Sequence, residues 1–426
     1  MRRNNIVMVI GLGLTFGACG DEGTGAPIKI GLSASLSGFD AEWGMTARDV
    51  AVASVAHVNE RGGVNGRMLE LVIADDGSEA DPAAIAVQTL IDADVVGIIG
   101  GFWSNQLETV TPLVRDAQIP LLSPSSTAPE LVKAPPDDGF VFRVVPNDNF
   151  QSLAMARYLA DIASPAVAST AIVHQDDSYG SGLSTTLTAE WTRRGRTVTG
   201  APIKFATDMD QAAADALWAT IMNANPTNVV LIGGGADSNI LLRTWKASGQ
   251  LPSLRWFLSD AAKQSALFGA AATELPATIA GVRGSAPTYP RTGLAFRTYG
   301  DEMLARLGMD ITKESYFPNV WDSVHLLAGG LTLQDRKGEE LGGPGLRDAI
   351  QAVSKGGQVF HAGQWRDFVA SIQGGGDVDY DGASGPVDFD ADGETVSPYE
   401  VWEARRDTAG WGFVQVEYLN AADLTR

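Results

Sequence analysis

One cysteine, Cys19, and four histidines are all the soft and imidazole ligands that 426 residues contain. A single thiol forms no intrachain disulfide, and so few of these side chains leave no cluster with metal-ligand spacing. The sequence also has no GxSxG nucleophile elbow and no HExxH helix. Gly233, Gly234 and Gly235 follow an apolar run, yet they lack both the GxGxxG spacing and a Walker lysine. Catalysis, a cofactor and a resident metal are therefore not expected. Positive charge is scarce too: 31 basic residues face 51 acidic ones, a net charge of −20. With no run of Lys or Arg, the chain offers no nucleic-acid surface, and its field would repel a polyanion.

Long apolar runs are missing as well. The first apolar stretch, residues 6–16, falls short of the roughly 20 residues a membrane helix needs. Arg2 and Arg3 precede it, and Phe16, Gly17, Ala18 and Cys19 close it, which reads as an export signal over residues 1–19. Small residues before a cysteine resemble a bacterial lipobox, with Cys19 as the lipidated residue of an exported, membrane-anchored protein in the periplasm or at the cell surface. Phe16 departs from the usual aliphatic residue there. Residues 20–26, rich in Gly and acids, read as a tether.

What the chain has in quantity is alternation. From Ile28 onward, short β-branched runs alternate with helical stretches, the pattern of an α/β fold built on parallel sheets. Residues 95–99 read as a buried strand, Gly100 and Gly101 as a sharp turn, and Ser104 with Asn105 as the cap of a helix over 106–117. A second strand at 120–123 opens into Pro124, Ser125, Ser126 and Thr127. In a parallel sheet both polar loops fall at the carboxyl edge, where ligands bind. Hydroxyls and free N–H groups beside a helix N-terminus suit a small carboxylate, although ordinary capping and turn chemistry uses the same residues.

Several motifs, taken together, carry a resemblance. They are IGLSASLSG (30–38), VNERGGVNGR (58–67), ADDGSEADP (74–82), VVGIIGGFWS (95–104) and PLLSPSSTAPEL (120–131). FRVVPND (142–148), DDSYG (176–180) and SGPVDFDADGE (384–394) continue the series. In order and spacing the chain resembles the periplasmic leucine/isoleucine/valine-binding proteins, type I solute-binding proteins of ABC transporters, over nearly all of the mature length.

That resemblance implies two Rossmann-like lobes joined by three crossings and closing on ligand at a hinge. Lobe one is expected over 27–146 plus 283–373, and lobe two over 147–282 plus 374–426, with the last crossing near Gly374. It implies an amino acid or related carboxylate as ligand and an ABC permease as partner. Ser104, Ser125 and Thr127, with Ser126 in the same loop, would meet the carboxylate. The Ser125 carbonyl, the Thr127 hydroxyl and Asp260 would meet the ammonium. Asp260 stands where the branched-chain binder carries Glu, so it is open between ligand contact and a helix N-cap. Trp43 and Tyr179 match aromatics that close over the ligand, with core packing as the competing role. Residues 233–237 lack the tyrosine that relatives often place there, which leaves the side-chain pocket and the ligand open. A sensor of the same fold, for an amide or aromatic acid, is the alternative function. The acidic run Asp377, Asp379, Asp381, Gly382 has the start of a calcium loop, but Asp388 sits at the twelfth position, where Glu is preferred, and no helices flank it. A structural turn is the expectation there.

Overall fold

The computed structural model describes residues 25–129, 131–132, 138–163, 165–167, 169–269, 279–407 and 410–424. The export signal, Cys19 and residues 20–24 of the tether lie outside the described residues. Among the described residues no helix is long and apolar enough to cross a membrane.

Two sheets organise the chain. The first has the order β2-β1-β3-β4-β5, from β1 (Ile28–Ala34), β2 (Leu69–Asp75), β3 (Ile98–Ile99), β4 (Leu121–Ser123) and β5 (Val141–Arg143). All its pairings are parallel. Because strand order reverses between β1 and β3, the loops after these strands diverge and leave a crevice at the carboxyl edge. The sheet is covered on both faces. Ile28, Ile30, Leu32 and Ala34 share one core with α1 (Ala41–Glu60), while Ile98 and Leu121 join α2 (Ala80–Asp92) and α3 (Ser104–Asp116) in another.

The second sheet runs β16-β15-β11-β10-β9-β6-β7, with β8 also on β6. Its parallel part is β6 (Ser169–Gln175), β7 (Thr197–Val198), β8 (Ile203–Phe205), β9 (Asn228–Ile232), β10 (Arg255–Leu258) and β11 (Arg283–Pro287). The hairpin β15 (Tyr399–Asp407) and β16 (Gly410–Leu419) adds antiparallel to β11. Along β9 the period of two is plain. Val229 and Leu231 enter one core, Val230 and Ile232 the other. Helices α4 (Asp148–Arg157), α5 (Ser178–Arg193), α6 (Gln211–Ala224) and α7 (Gly235–Ser248) belong to this half. After α4 the chain tightens into a wider turn over Tyr158–Ile162 with i→i+5 bonding.

Three segments join the halves: residues 144–147, 288–290 and 395–398. They touch, since Thr288 N–H donates to the Pro398 carbonyl at 2.9 Å and the Tyr399 hydroxyl donates to the Asn147 carbonyl at 3.3 Å. Two boundaries differ from the sequence reading. Residues 283–287 are strand β11 of the second sheet, so the return to lobe one comes after Pro287. The segment from 374 to 394 stays with lobe one. There β13 (Val378–Gly382) pairs with β12 (Gln358–Phe360) and β14 (Gly385–Pro386), and Val378, Tyr380 and Phe389 enter the lobe-one core beside α8 (Leu294–Leu307) and α9 (Phe317–Arg336). The glycines at 374–376 make a turn into β13, and burial of these apolar residues keeps the chain on lobe one until Glu394. The acidic run is thus partly a strand. Its buried residues Val378, Tyr380 and Gly382 alternate with the outward Asp379 and Asp381, and among the described residues no group of three or more metal-ligating side chains forms.

Candidate functional site

The carboxyl edges of the two sheets face each other across a small cavity. Its walls come from loops after β1, β3 and β4 on one side and after β6 and β10 on the other. Trp43, Ser104, Ser125, Thr127, Tyr179 and Asp260 all line it. Ser126 does not. It is fully buried behind the wall, and its hydroxyl donates to Ser104 Oγ at 3.3 Å.

The hydroxyl loops are held before any ligand arrives. Ser104 is the first residue of α3, and Trp103 occupies the cap position, so Ser104 is not the cap its spacing suggested. Its Oγ instead accepts the Ala128 N–H at 3.2 Å and so ties the two loops together. Ser125 Oγ donates to the Phe102 carbonyl at 2.8 Å, another tie between the same loops. Arg143, fully buried in β5, donates to the Ala128 carbonyl at 2.6 Å and pairs with Glu394. These bonds brace the loops around Ser104, Ser125 and Thr127 in place.

Asp260 is the centre of the opposite wall. It begins a short helical turn whose cap is Ser259, and its side chain caps nothing, which removes the N-cap alternative. Its carboxylate accepts the Tyr179 hydroxyl at 2.6 Å, the Gln151 amide at 2.7 Å and the Tyr316 hydroxyl. Tyr179 and Gln151 stand on lobe two. Tyr316 precedes α9 on lobe one, so its bond crosses the cleft. Its backbone has φ of +74°, a conformation that bulky residues adopt at some cost and that recurs at ligand sites.

A second acid lies beside this wall. Asp148, the first residue of α4, is fully buried. Its own N–H donates to the Thr127 carbonyl at 2.8 Å. Burial, and next the Asp260 charge, push the Asp148 carboxyl up; the Thr127 hydroxyl and Arg143 oppose this only in part. Burial also raises Asp260, against the bonds from Tyr179, Tyr316 and Gln151. Among the described residues no Lys, Arg or His lines the cavity. Buried acids with so little opposing charge are costly, and a ligand ammonium would relieve them.

Aromatic rings close the remaining sides. Trp43 is 6% exposed and stacks on Phe317 at 5.3 Å, with Phe102 edge-on at 5.2 Å. Core packing and cavity lining are therefore both true of Trp43. A glycine follows each predicted aromatic, and each is required. A Cβ on Gly44 would lie 2.0 Å from the Ser35 carbonyl oxygen, and one on Gly180 would lie 2.1 Å from the Gln175 carbonyl oxygen. Each lobe thus seats the helix that follows its first strand directly on the end of that strand, with the aromatic one residue earlier turned into the cleft. Sequence reasoning missed Asp40, Phe102, Trp103, Gln264 and Tyr316 as lining residues. Asp148 stands in a motif already singled out and Asp40 lies two residues past another, whereas nothing local marks Tyr316.

The periplasmic binding protein family model matches residues 27–409. The chain belongs to the periplasmic binding protein family. A chemotactic signal transduction system substrate-binding protein, BasB, of Halobacterium salinarum is 30% identical over 389 residues, which cover 88% of this chain and 86% of that one. A leucine-, isoleucine-, valine-, threonine- and alanine-binding protein of Pseudomonas aeruginosa is 28% identical over 228 residues, 52% of this chain and 58% of that relative's length. Among solved structures, a leucine-binding protein from Thermotoga maritima superposes with a TM-score of 0.74 at 20% identity, covering 93% of this chain and 99% of that one. At that identity the likeness speaks for the fold, the two-lobed type I architecture of these binding proteins. The family is one of solute binders, and none of these relatives is named as an enzyme.

Proposed function

We propose that this chain is the extracytoplasmic solute receptor of an ABC transporter, capturing a branched-chain or other small amino acid, or a related carboxylate, between its lobes. The observation that carries this reading is the polarity of the cavity. Donors from the loops holding Ser104, Ser125 and Thr127 face Asp260, with Asp148 close behind it, and none of the described lining residues is basic. An α-amino acid presents the complementary pair, a carboxylate for the donors and an ammonium for the acids. Closure buries both charges, where such contacts are strongest, and the closed form is what a permease would recognise. On this reading the protein performs no chemistry, Cys19 anchors it by lipid in the periplasm or at the cell surface, and its partners are the ligand, the membrane and the permease.

The test is a thermal-shift screen of the purified chain against amino acids, small organic acids and amides. A ligand at 100 times its Kd adds about 2.7 kcal/mol to folding, a visible shift. Stabilisation by α-amino acids, lost when the amine is acetylated, is the expected result. A response only to organic acids lacking an amine would overturn it. A second reading, a sensor feeding a signalling partner, is favoured by the name of the Halobacterium salinarum relative, a protein of a chemotactic system. Association of the ligand-bound form with a transducer instead of a permease would select it.

A further inference from the structure

The cavity does not end at Trp43. Beyond Asp40, Trp43, Trp103 and Gln264, which line it, a second and roomier cavity continues between the same two lobes, sharing those four residues. Its lobe-one wall adds Phe39 and Glu42, and its lobe-two wall adds Gln175, Thr207 and residues 234–237 at the start of α7. This is the stretch where the sequence carries glycines. A Cβ at Gly234 would meet nothing within 4 Å, so the space is open because no side chain fills it.

Asp40 gives this space its character. It is 9% exposed, lines both cavities, and its Oδ2 has no hydrogen-bond partner. Asp76 and Glu42 are its charged neighbours, both of like sign. The charged residues lining the outer cavity are Asp40, Glu42 and Asp237, and no Lys, Arg or His is among them. Asp237 stands in the first turn of α7 and offsets that helix's positive end, with Oδ1 accepting the Met209 N–H at 2.7 Å. Phe39 and Trp103, with ring centroids 5.3 Å apart, and Trp43 present aromatic surface beside the acids. Acids with aromatic faces and no counter-ion make a receptor for an organic cation.

We propose that the outer cavity is a side-chain subsite for a cationic group, so that the preferred ligand is a basic amino acid, its distal ammonium or guanidinium meeting Asp40. This rests on the amino-acid reading above, with the main-chain groups held in the inner cavity. A branched aliphatic side chain would fill part of the inner space and leave Asp40 unpaired.

Isothermal titration of the full chain with L-arginine, L-lysine, L-leucine, L-phenylalanine and L-glutamate tests it. A basic amino acid should bind at least about tenfold tighter than leucine or phenylalanine, and glutamate least well. Asp40→Asn should weaken the basic ligands about tenfold more than it weakens leucine. Should Asp40→Asn fail to fold, Gly234→Leu, which fills the outer cavity from a backbone conformation open to any residue, should lower affinity for arginine more than for alanine. Leucine, phenylalanine or glutamate binding tightest would overturn the proposal, as would equal weakening of all ligands by either variant. Failure of every α-amino acid to bind would instead sink the receptor reading on which it rests.

Discussion

Tyr316→Phe isolates the hydrogen bond that ties Asp260 of lobe two to lobe one. The ring stays, so packing is preserved, and the Tyr289 hydroxyl still accepts the Tyr316 N–H at 2.7 Å. Only the hydroxyl on Asp260 is lost. A hydrogen bond to a buried carboxylate contributes about 1.5–3 kcal/mol. It exists only when the lobes meet, so its loss shifts the closed–open balance by that amount. A ligand that binds the closed form should then lose affinity roughly 10- to 100-fold. Tyr179→Phe is the control. Its hydroxyl reaches the same carboxylate at 2.6 Å, but from within lobe two. That variant should lower the melting temperature while leaving the closure balance nearer to wild type. Titration calorimetry gives the affinities, and small-angle scattering with and without ligand gives the degree of closure. If Tyr316→Phe binds within about twofold of wild type and compacts equally on ligand, the interlobe bond contributes nothing and the reasoning fails.

Thr127→Ala should weaken ligand binding at least about tenfold with little change in melting temperature; unchanged affinity removes the loop from the site. Because burial raises both Asp148 and Asp260, an arriving ammonium must displace protons. Affinity should therefore fall as pH drops through and below their raised range, and calorimetry in buffers of different ionisation enthalpy should show proton release; buffer-independent heats refute this. The buried pair His57 and His325, 3.1 Å apart, is held neutral by burial, with pKa values lowered from 6.5 to about 2 and about 3. Their unfolded forms bind protons first, so the stability they contribute is whole above pH 6.5 and is lost as pH falls towards 3. His325→Gln should flatten that acid limb in calorimetric melts, and an unaltered limb counts against it. Gly44→Ala drives a Cβ to 2.0 Å from the Ser35 oxygen; about 1–3 kcal/mol of destabilisation and weaker binding are expected, and a wild-type melt would show that α1 shifts freely.

Much of this was legible in the chain because the signals are local. The strand at residues 98–99, the paired glycines after it and the Pro-Ser-Ser-Thr loop announce a sheet edge with donors, and the helices fall within a few residues of their expected ends. Ser104 lay in the right place with the wrong task, since a hydroxyl near a helix start reads as a cap until the neighbouring loop is seen to claim it. The boundary at Gly374 misled for a similar reason. Three glycines look like a linker, and only the burial of Val378, Tyr380 and Phe389 against α9 shows that the chain has not yet left lobe one. Tyr316 could not be read at all. It lies outside any periodic run, and its reach to Asp260 depends on how two lobes distant in sequence come together.

Arg143 has a consequence for how such a molecule can move. Its guanidinium holds the carbonyls of the ligand loop and pairs with Glu394, whose other oxygen takes the Asn147 amide. Asn147 ends the first connecting segment, and Glu394 immediately precedes the third. The floor of the binding loop and two of the three connections are thus braced by a single strut. On the proposed reading, an opening that hinges beyond this brace would keep the donors in register, so each new ligand would meet a half-site already set.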